Sequence, residues 1–179
     1  MRKIKKIISR IKLSVIKKLI YINTSFYMFH FTKYLKRIGI NVIGIPKFIS
    51  SDVYFDGKDY SLITLGDNIT ISREVMFLTH DYSINVVNGA NGNFVRRLKG
   101  EKYTINPITI GDNVFIGARV SLLPGSKIGN NCIIGACSVV KGNIPDNSIV
   151  IGNPCRIIKK IDSFENQLEN HKISIHEED

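Results

Sequence analysis

The 179-residue chain has no tryptophan, only five prolines and three cysteines, and no acidic residue before position 52. The cysteines, Cys132, Cys137 and Cys155, are odd in number, which does not fit a disulfide framework and indicates a reducing, cytosolic compartment. The uncharged stretch at residues 19–32 is too short and too polar to span a bilayer. It also lacks a small-residue cleavage site, so we do not expect a signal peptide.

A sixfold repeat runs from Ile108 to Ile149 and reads ITIGDN, VFIGAR, VSLLPG, SKIGNN, CIIGAC, SVVKGN, IPDNSI. The third place holds an unbroken apolar series, Ile110, Ile116, Leu122, Ile128, Ile134 and Val140. The first place is small or β-branched: Ile108, Val114, Val120, Ser126, Cys132 and Ser138. A helix repeats near 3.6 residues and a strand alternates in twos, so neither produces this period. The period predicts an all-β fold, a coiled parallel β-solenoid with these side chains pointing inward.

The repeat suggests three regions along the chain. We expect an N-terminal basic helical region at 1–44, a solenoid at 45–154 and a C-terminal segment at 155–179 with a short strand, a short helix and an acidic tail. Within the solenoid the pattern breaks at residues 79–81, and a polar, Gly-rich insertion occupies 82–106. Long loops in compact domains usually bind, cover or exchange between subunits, although a tolerated insertion is the alternative.

The net charge of +10 comes from the N-terminal third, because residues 1–51 carry twelve Lys or Arg and no Asp or Glu. One helical face of residues 1–22 is apolar, formed by Ile4, Ile7, Ile8, Ile11, Val15, Leu19 and Ile22. This pattern is typical of a basic amphipathic helix, which lies on an anionic membrane surface or packs on the protein with its lysines in solvent. No nucleic-acid motif accompanies the charge, so we expect no nucleic-acid partner.

His80 is the strongest catalytic candidate among the four histidines, because it stands where the repeat gives way to the insertion. Such a histidine suits a general base that deprotonates a hydroxyl or an amine. The repeat supplies no further histidine for a metal site, and Cys132 points inward while Cys137 has no histidine neighbour in sequence. With no phosphate-binding glycine motif either, direct acyl transfer with one base and no metal is the chemistry that remains.

Several segments together resemble the hexapeptide-repeat acetyltransferases, closest to the maltose and galactoside acetyltransferases and the O-acetyltransferases of bacterial surface polysaccharides. They are Pro107–Ala118, Leu123–Gly125, Ile128–Asn131, Ile134–Ala136, Ser138–Val140, Ile144–Ser148 and Gly152–Lys160. The resemblance covers about residues 45–161. It implies a left-handed parallel β-helix, a homotrimer, and acetyl-CoA bound in the groove between neighbouring subunits.

The resemblance also assigns roles to individual residues. It makes His80 the general base on the acceptor hydroxyl and places Asp52, Asp81 and Tyr82 at the acceptor. The residues that it places at acetyl-CoA are Phe115, Gly117, Ala118, Gly135, Ala136, Lys141, Gly142, Arg156 and Lys159. Phe115 stands where the family usually has Trp, Asp52 where it often has Asn, and Lys141-Gly142 where it has Thr-Lys. Asp81 could orient His80 or touch a sugar hydroxyl, and its second reading is that it caps a turn at the start of the insertion.

The sequence therefore predicts a cytoplasmic, trimeric acetyl-CoA-dependent O-acetyltransferase for a sugar hydroxyl, in surface polysaccharide or lipid-linked glycan synthesis. Peripheral contact with the inner face of the cell membrane through residues 1–22 belongs to this hypothesis. An N-acetyltransferase for a nucleotide- or lipid-linked amino sugar is the alternative within the same fold. A solenoid that binds a partner without catalysis is the alternative from another class.

Overall fold

The computed structural model describes residues 11–56, 59–94 and 101–162. Three predictions lie outside these ranges: the first ten residues of the basic segment, the short C-terminal helix, and the acidic tail with His171 and His176. In the described part, most regular structure consists of short strands in parallel sheets, with helical segments beside them.

The N-terminal region is helical. Residues 11–18 form helix, a 3-10 turn follows at Leu19–Tyr21, and helix α1 spans Thr24–Ile38. The side chain of Asn23 caps α1 by accepting a hydrogen bond of 2.7 Å from a backbone N–H of the first turn. Gly39, with φ of 110°, ends the helix in the left-handed conformation that glycine adopts most easily. Among the described helices, none is long and apolar enough to cross a membrane.

One face of α1 packs on the end of the solenoid through Tyr27, Met28, Phe31 and Leu35. Upstream, Leu13, Ile16, Leu19 and Ile20 also pack against the core. Ile11, Val15 and Ile22, which we predicted to share an apolar face with Leu19, are exposed. Of the residues on the predicted face that the structure describes, only Leu19 is packed against the core. The others leave apolar side chains open to solvent.

Successive strands visit three sheets in rotation, which is the connectivity of a three-sided parallel solenoid. The first sheet contains β1 (Asn41–Val42), β4 (Ile63–Leu65), β9 (Ile108–Ile110), β12 (Lys127–Ile128) and β15 (Asn143–Ile144). The second contains β2 (Phe48–Ile49), β5 (Thr70–Ile71), β10 (Val114–Ile116), β13 (Cys132–Ile134), β16 (Ser148–Gly152) and β17 (Cys155–Lys160). The third contains β3 (Tyr54–Phe55), β6 (Met76–Phe77), β11 (Ser121–Leu122) and β14 (Val139–Val140).

Within each coil the chain turns at three corners. The first corner lies between the first and second sheets, the second between the second and third sheets, and the third between the third sheet and the first sheet of the next coil. All pairings among β1 to β16 in these sheets are parallel, whereas β17 folds back antiparallel on β16. The strand predicted just after residue 154 is therefore present as β17. Pairing begins at Asn41, four residues before the expected start of the solenoid at residue 45.

The predicted inward positions form the core. Every first-place and third-place residue from Ile108 to Val140 is buried, Ser126, Cys132 and Ser138 included. The buried hydroxyls are satisfied, because Ser126 Oγ donates to the carbonyl of Leu123 at 2.7 Å and Ser138 Oγ to that of Gly135 at 2.7 Å. The sixfold reading of the core is confirmed.

Stacking at the first corner explains two glycines of the repeat, Gly111 and Gly129. Asn130 Oδ1 accepts a hydrogen bond from the N–H of Asp112 at 2.8 Å, and Asp112 Oδ1 accepts one from the N–H of Asp67 at 2.7 Å. A Cβ on Gly111 would lie 2.5 Å from Asn130 Oδ1, so no larger residue fits beneath this side chain. The next residue in each corner is Asn with φ between 49° and 58°, and its amide bonds to the Asn of the adjoining coil: Asn68, Asn113, Asn131 and Asn147.

The insertion has regular structure of its own. Strands β7 (His80–Asp81) and β8 (Thr104–Ile105) pair antiparallel, and helix α2 (Ile84–Ala90) lies between them in sequence. The Asn106 N–H donates to the Thr79 carbonyl at 3.0 Å and closes the base of the insertion. The insertion therefore leaves the solenoid at the third corner and returns to it there.

Candidate active site

A cavity of about 370 Å³ lies at the third corner, beside the insertion. The corners of successive coils contribute Leu78, Leu123, Pro124 and Lys141, and the strands β7 and β8 contribute His80, Asp81 and Thr104. The cavity thus has an apolar wall from the rigid coils and a polar wall from the insertion. The cavity is lined by two residues predicted for the acceptor side, His80 and Asp81. It is also lined by Lys141, which was predicted for the cofactor side.

The imidazole of His80 is held by a buried carboxylate. Its Nδ1 contacts Oδ2 of Asp56, and the side chains of His80 and Asp56 are 18% and 5% exposed. Contact between Nδ1 and a carboxylate places the ring proton on Nδ1 and leaves Nε2 as the basic nitrogen. His80 thus has the geometry of an oriented general base at the edge of a cavity.

Asp56 is positioned by the register of the third sheet. Phe55 pairs with Phe77, and the Asp56 N–H donates to the carbonyl of Phe77 at 3.0 Å. The same carboxylate oxygen, Oδ2, accepts a hydrogen bond from the N–H of Thr79 at 3.1 Å. Our sequence reasoning did not single out Asp56, and the offset of 22 residues between Phe55 and Phe77 is the signal that could have found it.

Asp81 does not play the part that Asp56 plays. Its carboxylate accepts a hydrogen bond from the N–H of Ser83 at 2.7 Å, just before α2 begins. Hydrogen bonds from Ser83, with smaller contributions from Lys141 and His80, lower the pKa of this exposed carboxyl below its ordinary value. Asp81 therefore caps a turn beside the cavity, which was one of its two readings.

Two aromatic rings stand next to His80. The centroid of the Tyr82 ring is 5.2 Å from that of His80, and the centroid of the Tyr103 ring is 6.1 Å from it, both edge to face. Tyr82 was predicted at the acceptor, whereas Tyr103 was not singled out. The antiparallel pairing of β7 with β8 is what brings the second tyrosine here.

The predicted backbone positions for acetyl-CoA lie elsewhere on the chain. Gly117, Ala118, Gly135 and Ala136 occupy the second corner, between the second and third sheets. Their coils are stacked, because the Cys137 N–H donates to the Ala118 carbonyl at 2.8 Å. Phe115 lies on the outer surface of the second sheet, paired with Ile133 and Thr70, and is partly exposed.

Asp52 lies at the same second corner, two coils further toward the N-terminus than Gly117, and does not line the cavity. It accepts hydrogen bonds from Ser50 Oγ at 2.7 Å and from the Glu74 N–H at 3.1 Å. Burial opposes ionisation of Asp52, but these hydrogen bonds hold its pKa below the ordinary value. A role for Asp52 at the acceptor thus requires a site that extends beyond the His80 cavity.

Arg156 and Lys159, the basic residues near the C-terminus that we predicted at acetyl-CoA, lie on β17. Arg156 pairs with Ile151 and Lys159 with Ile149 at the edge of the second sheet. Gly142 follows Lys141 at the third corner with φ of 82°. The described residues hold no group of three or more His, Cys, Asp or Glu that could bind a metal ion, and the three cysteines are free thiols.

Comparison with known proteins gives consistent results. The model of the bacterial transferase hexapeptide family (six repeats) matches residues 107–142. Galactoside O-acetyltransferase of Escherichia coli (strain K12) is 41% identical over 103 residues, which are 58% of this chain and 46% of that protein. Protein CapG of Staphylococcus aureus is 38% identical over 137 residues, 76% of this chain and 75% of that protein.

Among solved structures, a maltose O-acetyltransferase from Clostridium difficile 630 superposes with a TM-score of 0.57 at 26% identity, covering 87% of each chain. Several curated relatives are considerably longer than the matched part, and this chain spans about half of their length. Of the two sequence relatives, CapG shares the longer aligned stretch, 137 residues against 103.

Proposed function

Because the chain belongs to the bacterial transferase hexapeptide family, we propose that it is an acetyl-CoA-dependent O-acetyltransferase acting on a sugar hydroxyl in surface polysaccharide or lipid-linked glycan synthesis. The observation that carries this proposal is the pairing of His80 with buried Asp56 at the edge of a cavity. The names of two similar proteins, a galactoside and a maltose O-acetyltransferase, support a sugar acceptor and an acetyl donor.

In the proposed reaction His80 takes the proton of the acceptor hydroxyl on Nε2 as the hydroxyl oxygen attacks the thioester carbonyl. A C–O bond forms, and the negative charge on the carbonyl oxygen is stabilised by backbone N–H groups of the groove. The intermediate then collapses with cleavage of the C–S bond, and the CoA thiolate recovers the proton from the imidazolium. Asp56 holds the ring and stabilises its transient positive charge.

The direct test is His80→Ala, assayed for acetyl transfer to hydroxy sugars and amino sugars and for acetyl-CoA hydrolysis. We expect turnover to fall by roughly two to four orders of magnitude, the range that a general base contributes. His30→Ala, a histidine packed against Phe26 and Phe29, is the matched control and should leave turnover unchanged. If the protein preferred amino sugars as acceptors, the N-acetyltransferase hypothesis would replace the O-acetyltransferase hypothesis. Failure to bind CoA at millimolar concentration would favour a non-catalytic solenoid.

The proposal includes a homotrimer with sites between subunits. Its support is that His80 and the predicted cofactor positions Gly117 and Gly135 lie at different corners of one chain, separated by the third sheet. A groove that includes both sets therefore needs a neighbouring copy. Sedimentation equilibrium should give three times the 20.2 kDa chain mass, and a monomer with full activity would contradict this part of the proposal. The left-handed sense of the coil is proposed with it, supported by the family resemblance.

Peripheral contact with an anionic membrane, at the inner face of the cell membrane, is also part of the proposal. Exposed Ile11, Val15 and Ile22 form an apolar surface next to a chain segment rich in lysine. Beyond them a cavity of about 510 Å³ between α1 and the first coil is lined by Phe29 and Ile45 together with Lys33, Lys36 and Lys47. Apolar side chains flanked by lysines suit the headgroup region of such a membrane. The free cysteines are consistent with the cytoplasmic side.

A further inference from the structure

Two tyrosines form an open aromatic surface beside the general base. Tyr82 follows β7 directly and Tyr103 precedes β8 directly, so the antiparallel pairing of Asp81 with Thr104 places their rings side by side. The two ring centroids are 5.3 Å apart with an angle of 45° between the planes. The Tyr82 ring also stands edge to face with His80.

Both rings remain accessible. Tyr82 is 36% exposed and Tyr103 is 43% exposed, although each is packed against the histidine on one side. The neighbouring cavity wall consists of Leu123 and Pro124 from the coils. The partly exposed tyrosine rings therefore lie beside the histidine that lines this cavity.

One side chain of α2 ties the backbone of Tyr82 to that of Lys102, the residue before Tyr103. The Asn85 amide nitrogen donates to the carbonyl of Lys102 at 2.6 Å and to that of Tyr82 at 3.0 Å. The Asn85 amide oxygen accepts a hydrogen bond from the Lys102 N–H at 2.9 Å. This arrangement joins the two ends of the insertion and aligns the tyrosines before any ligand binds, which lowers the entropic cost of binding.

We propose that Tyr82 and Tyr103 form a stacking platform for the pyranose ring of the acceptor, which presents one ring hydroxyl to Nε2 of His80. A pyranose has an apolar face of C–H groups, and the electron-rich face of a phenol ring attracts such weakly positive hydrogens while it removes apolar surface from water. An acyclic polyol offers hydroxyls of the same acidity but no such face. The inference rests on the proposed acetyl transfer and adds a ring-shaped acceptor and Tyr103 as a specificity residue.

The experiment compares Tyr82→Ala and Tyr103→Ala with the wild type, using a panel of methyl hexopyranosides and the corresponding alditols as acceptors. Each alanine variant should raise the KM for a pyranoside about tenfold, the size of an aromatic packing contribution, and leave the KM for acetyl-CoA within about twofold. Tyr82→Phe and Tyr103→Phe should keep the pyranoside KM within about twofold, because the ring is retained. Tyr21→Ala is the matched control, since Tyr21 is exposed far from the cavity.

Different results would separate this inference from the proposed function. A wild-type protein that neither hydrolyses acetyl-CoA nor transfers the acetyl group would refute the proposed function itself. Acetyl-CoA hydrolysis that no pyranoside increases, or transfer that favours alditols, would overturn the platform and leave the chemistry intact. Alanine variants with unchanged pyranoside KM, or alanine and phenylalanine variants with equal losses, would overturn it as well, because stacking requires only the ring.

Discussion

The contact between Asp56 and His80 joins residues from two adjacent coils into one chemical unit. Asp56 is almost fully buried, and a buried carboxylate without a partner is costly, so its hydrogen bond from Thr79 and its contact with His80 are both needed. The same contact fixes the orientation of the His80 ring. In the proposed reaction Asp56 is thus a positioning residue, which acts on the acceptor only through His80.

Replacement of Asp56 by Asn tests this role, because the amide oxygen can still accept from the Thr79 N–H. We expect kcat to fall roughly 10- to 100-fold, in line with the 1.5–3 kcal/mol of a hydrogen bond to a charged group, with little change in the KM for acetyl-CoA. Asp81→Asn makes the same chemical change on the exposed neighbour and should have a much smaller effect. Equal losses in the two variants would refute the role.

The glycine of the first corner provides a second test at the scale of one residue. A Cβ on Gly111 would crowd Asn130 Oδ1 at 2.5 Å and the backbone carbon of Gly129 at 2.8 Å. Because backbone cannot move aside cheaply, Gly111→Ala should lower the free energy of unfolding by about 1–3 kcal/mol. Thr109→Ala, on the outer surface of the preceding strand β9, should lower the free energy of unfolding by less. Thermal unfolding followed by circular dichroism compares the two, and equal midpoints would show that the coils can separate here.

At the scale of an element, helix α1 is tied to the solenoid by two buried hydrogen bonds to Ile49, one of which runs from the Ile49 N–H to Met28 Sδ at 3.2 Å. The hydroxyl of Tyr27 donates to the carbonyl of Ile49 at 2.7 Å, and the ring is fully buried. Burial, with a smaller contribution from Asp52, raises the pKa of Tyr27 well above its ordinary value of 10.0. The native state therefore retains this proton at a pH where the unfolded chain has released it.

The helix should consequently lose stability in alkaline solution. Neutral Tyr27 makes its full contribution to the free energy of unfolding below about pH 10. That contribution is lost as pH rises through the raised pKa of Tyr27 in the folded state. Tyr27→Phe should cost about 1–3 kcal/mol at neutral pH, because the Ile49 carbonyl loses its partner, and should make the alkaline loss shallower. Urea unfolding at a series of pH values measures both effects. Tyr21→Phe is the control, and an identical alkaline slope in all three proteins would contradict the assignment.

At the scale of the whole molecule, charge is divided sharply between the two ends. Residues 1–51 carry all of the excess positive charge, and the rest of the chain is slightly acidic. The same end carries the open apolar surface of Ile11, Val15 and Ile22 and the lysine-lined cavity beside α1. The catalytic cavity is on other coils, at the third corner. The proposed membrane contact and the proposed chemistry can therefore be disrupted separately.

A matched pair of double variants tests the membrane contact. Lys33→Gln with Lys36→Gln should weaken partition onto phosphatidylserine vesicles about 30-fold, because each lysine near the headgroups contributes roughly 1 kcal/mol. Lys102→Gln with Lys127→Gln removes the same charge elsewhere and should change partition little. Vesicle sedimentation measures binding, and transfer to a water-soluble acceptor should be unaffected in both. Equal partition of the two double variants would disprove a contact at this surface.

The solenoid and its core were predictable because each inward position depends on local register alone. The period of six placed residues such as Ile116 and Leu122 inside, and the structure buries them. The packed face of the N-terminal segment was harder to predict, because helical spacing allows several apolar faces and only tertiary packing selects one of them. Leu13 and Ile16 are packed while Ile11 and Val15 are exposed, a choice that depends on where α1 and the first coil lie.

By itself the sequence determined the repeat, its inward positions and His80 at the interruption, because these follow from the order of residues along the chain. The tertiary structure decided which groups surround His80. Asp56 comes from the preceding coil and Tyr103 from the far end of the insertion, 24 and 23 residues away respectively. Such contacts depend on the stagger between coils and on the pairing of β7 with β8, which a one-dimensional pattern does not contain.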